Sequence, residues 1–217
     1  MLKIIGLTLA ASIAAAISST AVAVPVVTTG GTVVSGEGQT ASVAGVSIIN
    51  FNVGSTLPTG VSYDAAAGNL VTGSLSGVYA APPGDSSRYL AVGPTTGSPV
   101  TITLSSAANY IGFFAASLDE YNTITFIGSS TTSYTGTQLA ALAGIPAGGN
   151  QASGAYFNIF ESGNDFTKVI LASSQQALEL DNFAVGRAAP PAPVPLPGTL
   201  ALMGAALGLG LLRSRKK

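Results

Sequence analysis

The chain has 217 residues, of which 27 are glycine, 12 proline and only 8% charged, with no cysteine and no histidine. That composition excludes disulfides, thiolate metal sites, cysteine nucleophiles and histidine acid–base chemistry, and it points to a turn-rich extracellular β protein. The formal net charge of −1 hides an asymmetry: Lys3, Arg213, Arg215, Lys216 and Lys217 lie at the two ends, whereas all nine acidic residues share the body with Arg88, Lys168 and Arg187, a net of −6 that excludes nucleic acid as a partner and suits divalent cations or neutral glycans.

Residues 1–23 read as a signal peptide that forms an apolar helix. Lys3 supplies the positive start, Ile4 to Ile17 is an uncharged apolar run, and Ala21 and Ala23 are the small residues of a signal-peptidase site. Residues 24–187 are then one domain by length. Short apolar runs split by Gly, Asn, Ser and Pro predict strands over Val46–Val53, Arg88–Val92, Val100–Leu104, Asn109–Leu118, Tyr121–Ile127, Ala155–Phe160, Phe166–Ala172 and Ala177–Val185. Asn109–Leu118 reads as a central strand. Gly128–Thr137 reads as a polar edge hairpin or loop, and Thr137–Ala143 is the one plausible short helix. Eight or more strands at this spacing predict an all-β, two-sheet sandwich of jelly-roll type.

The last strand carries a phase slip. Leu178 and Leu180 share one parity and Phe183 and Val185 the other, so a β-bulge is expected at Asp181-Asn182. Glu179 and Asp181 fall on the face opposite the leucines, with side chains about 7 Å apart by strand rise.

Beyond the body, 188–193 is a stiff proline-rich spacer (AAPPAP), followed by Val194, Pro195, Leu196, Pro197 and Gly198, an uncharged run from Thr199 to Leu212, and the basic tail. The run is expected to enter the inner membrane as a short transmembrane helix with the basic end inside. Residues 194–217 resemble a PEP-CTERM sorting signal, with a Val-Pro-x-Pro motif, a short apolar helix and an Arg-rich end. Leu196 stands where that family usually has glutamate, which matches its VPLPA-like variant, with Gly198 in place of alanine. The resemblance implies processing by an exosortase, a membrane-anchored precursor, and a mature protein on the surface or outside a bacterium that makes extracellular polysaccharide. Residues 89–93 (YLAVG), 117–126 (SLDEYNTITF) and 178–186 (LELDNFAVG) resemble the β-sandwich ectodomains joined to such signals, which implies a lectin-like or carbohydrate-binding-like fold.

The chemistry-bearing residues are few. Asp119, Glu120 and Asn122 sit between two strands, and Glu179, Asp181 and Asn182 form a second cluster. Either set could offer oxygen ligands to Ca²⁺, although such residues serve equally in turns, at a bulge or on a solvated strand face. No D-x-D-x-D-G calcium loop and no nucleophile elbow is present. Asp85, Glu161 and Asp165 lie in expected loops, and nothing fixes a carboxylate pair at catalytic separation. The tyrosines offer sugar-stacking platforms or half-buried strand residues. The expectation is therefore a non-catalytic, exported structural or adhesive protein of the extracellular polymer layer, needing no cofactor. The alternative is a carbohydrate-binding module, calcium-assisted or not, with extracellular polysaccharide as its partner.

Overall fold

The computed structural model describes residues 24–162 and 165–191. The signal peptide, the last residues of the spacer, the Val194–Gly198 motif and the C-terminal apolar segment lie outside the described residues. Among those described, no helix is long and apolar enough to cross a membrane.

The chain forms fourteen strands and one α-helix among the described residues: β1 (Val26–Thr29), β2 (Thr32–Val34), β3 (Gly38–Thr40), β4 (Ser47–Ile49), β5 (Val61–Tyr63), β6 (Leu70–Thr72), β7 (Arg88–Val92), β8 (Val100–Ala108), β9 (Tyr110–Ala116), β10 (Asn122–Ile127), β11 (Thr131–Thr135), α1 (Gly136–Ala143), β12 (Gly154–Phe160), β13 (Phe166–Ser173) and β14 (Leu178–Gly186). They build a seven-stranded sheet in the order β1-β12-β9-β14-β7-β6, with β4 also paired to β14. A five-stranded sheet runs β11-β10-β13-β8-β5, and β2 and β3 make a small hairpin. Two large antiparallel sheets facing one core make the chain an all-β sandwich.

The two sheets bury their residues differently. In the five-stranded sheet one face is wet, so β10 alternates buried and half-buried positions, with Ile124 and Phe126 pointing inward. β9 lies in the middle of the other sheet, and all seven of its residues are buried. Ile111, Phe113 and Ala115 enter the core between the sheets. There Phe113 lies 5.5 Å from Phe157 and 6.3 Å from Phe126, ring centre to ring centre. The opposite face is roofed by the segments 30–40 and 73–87. The Asn158 amide donates to Gly30 O at 2.9 Å, the Asn182 amide to Glu37 O at 2.7 Å, and the Tyr89 hydroxyl to Gly73 O at 2.6 Å.

Gly112 is the tight point of that roofed face. A Cβ there would stand 2.6 Å from the Tyr156 hydroxyl and overlap that of Tyr110. Both hydroxyls are committed, Tyr110 to Asn158 Oδ1 at 2.8 Å and Tyr156 to Asn182 O at 3.0 Å. Gly112→Ala should therefore cost about 1–3 kcal/mol through overpacking. Urea denaturation reads this directly, and an unchanged midpoint would mean the tyrosines yield freely.

Two sequence expectations change. The predicted strand over Val46–Val53 shortens to β4, because Phe51 adopts a left-handed φ of 52° and turns its ring into the core, 2% exposed. Asn50 Oδ1 accepts from the Asn52 N–H at 3.3 Å and closes the turn. The other change concerns Glu179 and Asp181, which are on no solvated face: the roof buries both, at 2% and 0% exposure. The expected phase slip is present, with a register shift between Asp181 and Ala184 and Asn182 at φ 49°. The polar run at 128–137 does form an edge hairpin, its second strand being β11.

Candidate functional site

β9 ends in a sharp turn that places the site. Ser117 has a left-handed φ of 43°, and its N–H donates to Ser153 O at 3.1 Å. Asn122 then folds back, its Oδ1 accepting from the Asp119 N–H at 2.6 Å and its amide donating to Ser173 Oγ at 3.0 Å and Ala177 O at 3.3 Å. This is turn chemistry with long-range ties. On the far side, α1 begins with a reciprocal cap. The Gln138 N–H donates to Thr135 Oγ1 at 3.2 Å, and the Thr135 N–H to Gln138 Oε1 at 2.8 Å. The helix stops at Gly144 in the left-handed conformation, φ 64°. The chain then returns to the turn, where the Gly148 N–H donates to Leu118 O at 3.0 Å.

Between this turn, the roof segment and the loop before β14 lies a cleft of about 300 Å³. Tyr79, Ser117, Asp119, Tyr121, Gln176 and Glu179 line it, and among the described residues no lysine or arginine does. The two carboxylates that face it have different hydrogen-bond partners. Glu179 accepts from the Ala80 N–H at 3.0 Å and from the Ser117 hydroxyl. Burial pushes its carboxyl up to about 7, against the lowering effect of those hydrogen bonds, and Asp119 adds to the rise. Asp119 is 7% exposed, and its Oδ2 accepts from the Tyr121 hydroxyl at 2.6 Å. Tyr121 also stands 3.0 Å from Gln176 O, and burial lifts its hydroxyl up to about 12.

A second acidic pair sits deeper under the roof. Asp85 Oδ1 accepts from the Ser87 N–H at 2.7 Å, and the Ser87 hydroxyl lies 2.7 Å from the same oxygen and 3.2 Å from Asp181 Oδ2. The buried Oδ2 of Asp85 and Oδ1 of Asp181 meet no other donor among the described residues. Burial pushes Asp181 up to about 9, opposed by the Asn182 N–H and reinforced by the charge and hydrogen bond of Asp85. Asp181 is thus a carboxylic acid at neutral pH, and its proton supplies the donor the pair needs.

The candidate residues are therefore regrouped. Asp119 and Glu179, one from each sequence cluster, share the cleft. Asp181 belongs to Asp85 instead, and the Asn182 amide serves Glu37 O and Gln39 O. Asn122 is fully buried in the turn, and Glu120 is exposed. Among the described residues no three acidic side chains converge as a metal cage. Tyr89, Tyr110 and Tyr156 are fully buried, which leaves Tyr79 and Tyr121 as the half-buried rings at the cleft. Sequence reading did not single out Ser117 or Gln176 for the site, and it offered Tyr79 only as one of seven tyrosines. The signal available was an acid at 179 within a strand otherwise suited to double-sided burial. No protein-family model and no curated protein sequence matches the chain.

Proposed function

We propose that this chain is an exported, non-catalytic cell-surface or matrix protein with a structural or adhesive role in the extracellular polymer layer. Signal peptidase would process it at Ala23, and an exosortase would act at the Val194–Gly198 motif after the C-terminal helix has held the precursor in the inner membrane. The observation that carries this reading is the order of segments: apolar leader, acidic β body, proline spacer, VPLPG, short apolar run, basic tail. Consecutive strands from β7 to β10 alternate between the two large sheets, which supports a jelly-roll-like sandwich. The first residue of the proline-rich spacer is docked on the body. Ala188 exchanges two hydrogen bonds with the Asn109 side chain, at 2.9 and 3.1 Å, and Arg187 pairs with Asp165 at 3.1 Å.

Intact-mass and N-terminal analysis in the native host, with and without its exosortase, tests the reading. The mature protein is expected to begin at Val24 and to lack Arg213–Lys217. Retention of that tail in the presence of the enzyme would leave a simple tail anchor, and a start at Met1 would refute export by cleavage.

The cleft favours the second reading, a carbohydrate-binding module. It is concave and polar, rimmed by two tyrosines, and built where two loops and a strand end meet. Calcium assistance would involve Asp119 and Glu179, the two carboxylates that line it.

A further inference from the structure

The cleft has more acceptor than donor capacity. Asp119 is more than nine-tenths buried as a residue and its Oδ2 is held by Tyr121, whereas its Oδ1 has no protein donor among the described residues and is not sealed from solvent. Gly149 makes this possible, since a Cβ there would stand 2.9 Å from Oδ2 and crowd the carboxylate out of its seat. Glu179 adds a second acid whose oxygens are already engaged by Ala80 and Ser117. The Gln176 Nε2 is engaged with Thr95 Oγ1, while its buried Oε1 has no hydrogen-bond partner among the described residues and adds an acceptor to the cleft. The body's three basic residues are elsewhere: Arg88 donates to Phe51 O, Arg187 pairs with Asp165, and Lys168 lies on β13 of the other sheet.

Three ligand chemistries can be weighed against that inventory. An acidic polysaccharide would bring carboxylates or sulfates against Asp119 at low dielectric with no counter-charge, which is repulsive. Calcium needs six to eight oxygens, and among the described residues Asp119 and Glu179 are joined in the cleft by no third acidic side chain. An ammonium group brings three donors and one positive charge, matching the unfilled oxygen of Asp119. The cleft's size, at the low end of ligand pockets (roughly 300–1,000 Å³), suits one sugar ring rather than a chain segment.

Resting on the carbohydrate-binding reading, we propose that the cleft takes a glucosamine-type residue of a deacetylated amino-sugar polymer, with Asp119 Oδ1 receiving its ammonium group and Tyr79 and Tyr121 flanking the ring. The net charge of −6 on the body would draw such a polycation in, and this attraction fades with salt. Glu179 deepens the preference as it ionises. Asp119, Tyr121, Tyr79 and Tyr89 are the titratable groups arrayed around it, and none is cationic.

Calorimetric titration of the mature protein at low salt near pH 6, where the sugar amines are ammonium groups, tests this with three tetrasaccharides: fully deacetylated glucosamine, its N-acetylated counterpart, and galacturonate. The free-amine ligand is expected to bind about tenfold or more tighter than the N-acetylated one, the uronate not at all, and Asp119→Asn to erase the preference. The amide oxygen that Asp119→Asn introduces can still accept from Tyr121, so the variant's melting temperature checks that its fold is kept. Equal binding of the amine and N-acetyl forms by the wild-type protein would overturn the ammonium site while leaving carbohydrate binding intact. Binding that appears only with added Ca²⁺ would also overturn it. Absence of binding to any of the three would overturn the proposal together with the carbohydrate reading, and release of reducing ends would overturn the non-catalytic one.

Discussion

Raising the pH from about 5 to about 9 should weaken the sandwich by several kcal/mol, with Asp181 and Glu179 responsible for most of the slope. Both acids are pushed up in the folded chain, to about 9 and about 7, from ordinary values of 3.8 and 4.5. Between those limits the folded protein keeps protons that the unfolded chain has released, so each upward step in pH favours unfolding. The stabilisation is complete below about pH 4, is lost for Glu179 as pH rises through about 7 and for Asp181 through about 9, and then levels off. Glu179 alone accounts for about 3 kcal/mol. Urea titrations across this range measure the slope. Asp181→Asn should match the wild type at the acid end, because an amide can donate to Asp85 as the acid does, and exceed it at the alkaline end. Glu179→Gln should roughly halve the slope in the lower half of the range, where Asp181 still contributes its share. An Asp181→Asn protein as alkali-sensitive as its parent would show that the acid pair does not control the fold.

That acid pair also marks where the sequence stops being informative. Short apolar runs between turn residues made β8, β10 and β13 readable, and in β8 the alternation of Val100, Ile102 and Leu104 with threonines survives because one face of the sheet meets water. The parity change between Leu180 and Phe183 revealed the bulge. Nothing local indicated that segments 30–40 and 73–87 would cover the other sheet, since they are rich in Gly, Pro and Ser and read as ordinary loops. The contacts that define both acidic sites cross the whole chain: Ala80 to Glu179 spans 99 residues and Ser87 to Asp181 spans 94. The two sequence clusters were grouped by neighbourhood along the chain, but successive outward side chains of β14 meet different parts of the roof segment 73–87. Glu179 meets Ala80, whereas Asp181 meets Asp85 and Ser87. The short strands β2, β3, β5 and β6 were equally hidden, because three residues between turns carry no usable period.

Asn122→Ala should destabilise the protein by about 2–4 kcal/mol in the presence or absence of calcium. The side chain is fully buried and makes three hydrogen bonds. Its loss would strip Oδ1 from the Asp119 N–H, which is buried at the base of the turn, and an amide donor from Ala177 O in the loop entering β14. Each orphaned group costs roughly 1–3 kcal/mol, partly relieved where water can follow into the vacated space. The damage should spread to the cleft, because the same amide joins the Asp119 turn to the strand end that carries Ser173 and thereby fixes the distance between Asp119 and the Gln176–Glu179 wall. Asn122→Asp separates the roles. An aspartate keeps the acceptor for the Asp119 N–H but cannot donate to Ala177 O, and it brings a third acid beside Asp119, so it should lose stability as well. A metal ligand would behave in the opposite way: aspartate would bind calcium at least as well as asparagine, and the alanine variant would melt like the wild type in chelator. Melting curves of both variants with Ca²⁺ and with chelator distinguish the two. Equal loss under both conditions makes Asn122 the clamp of the turn, and a loss confined to calcium-containing buffer would make it a ligand.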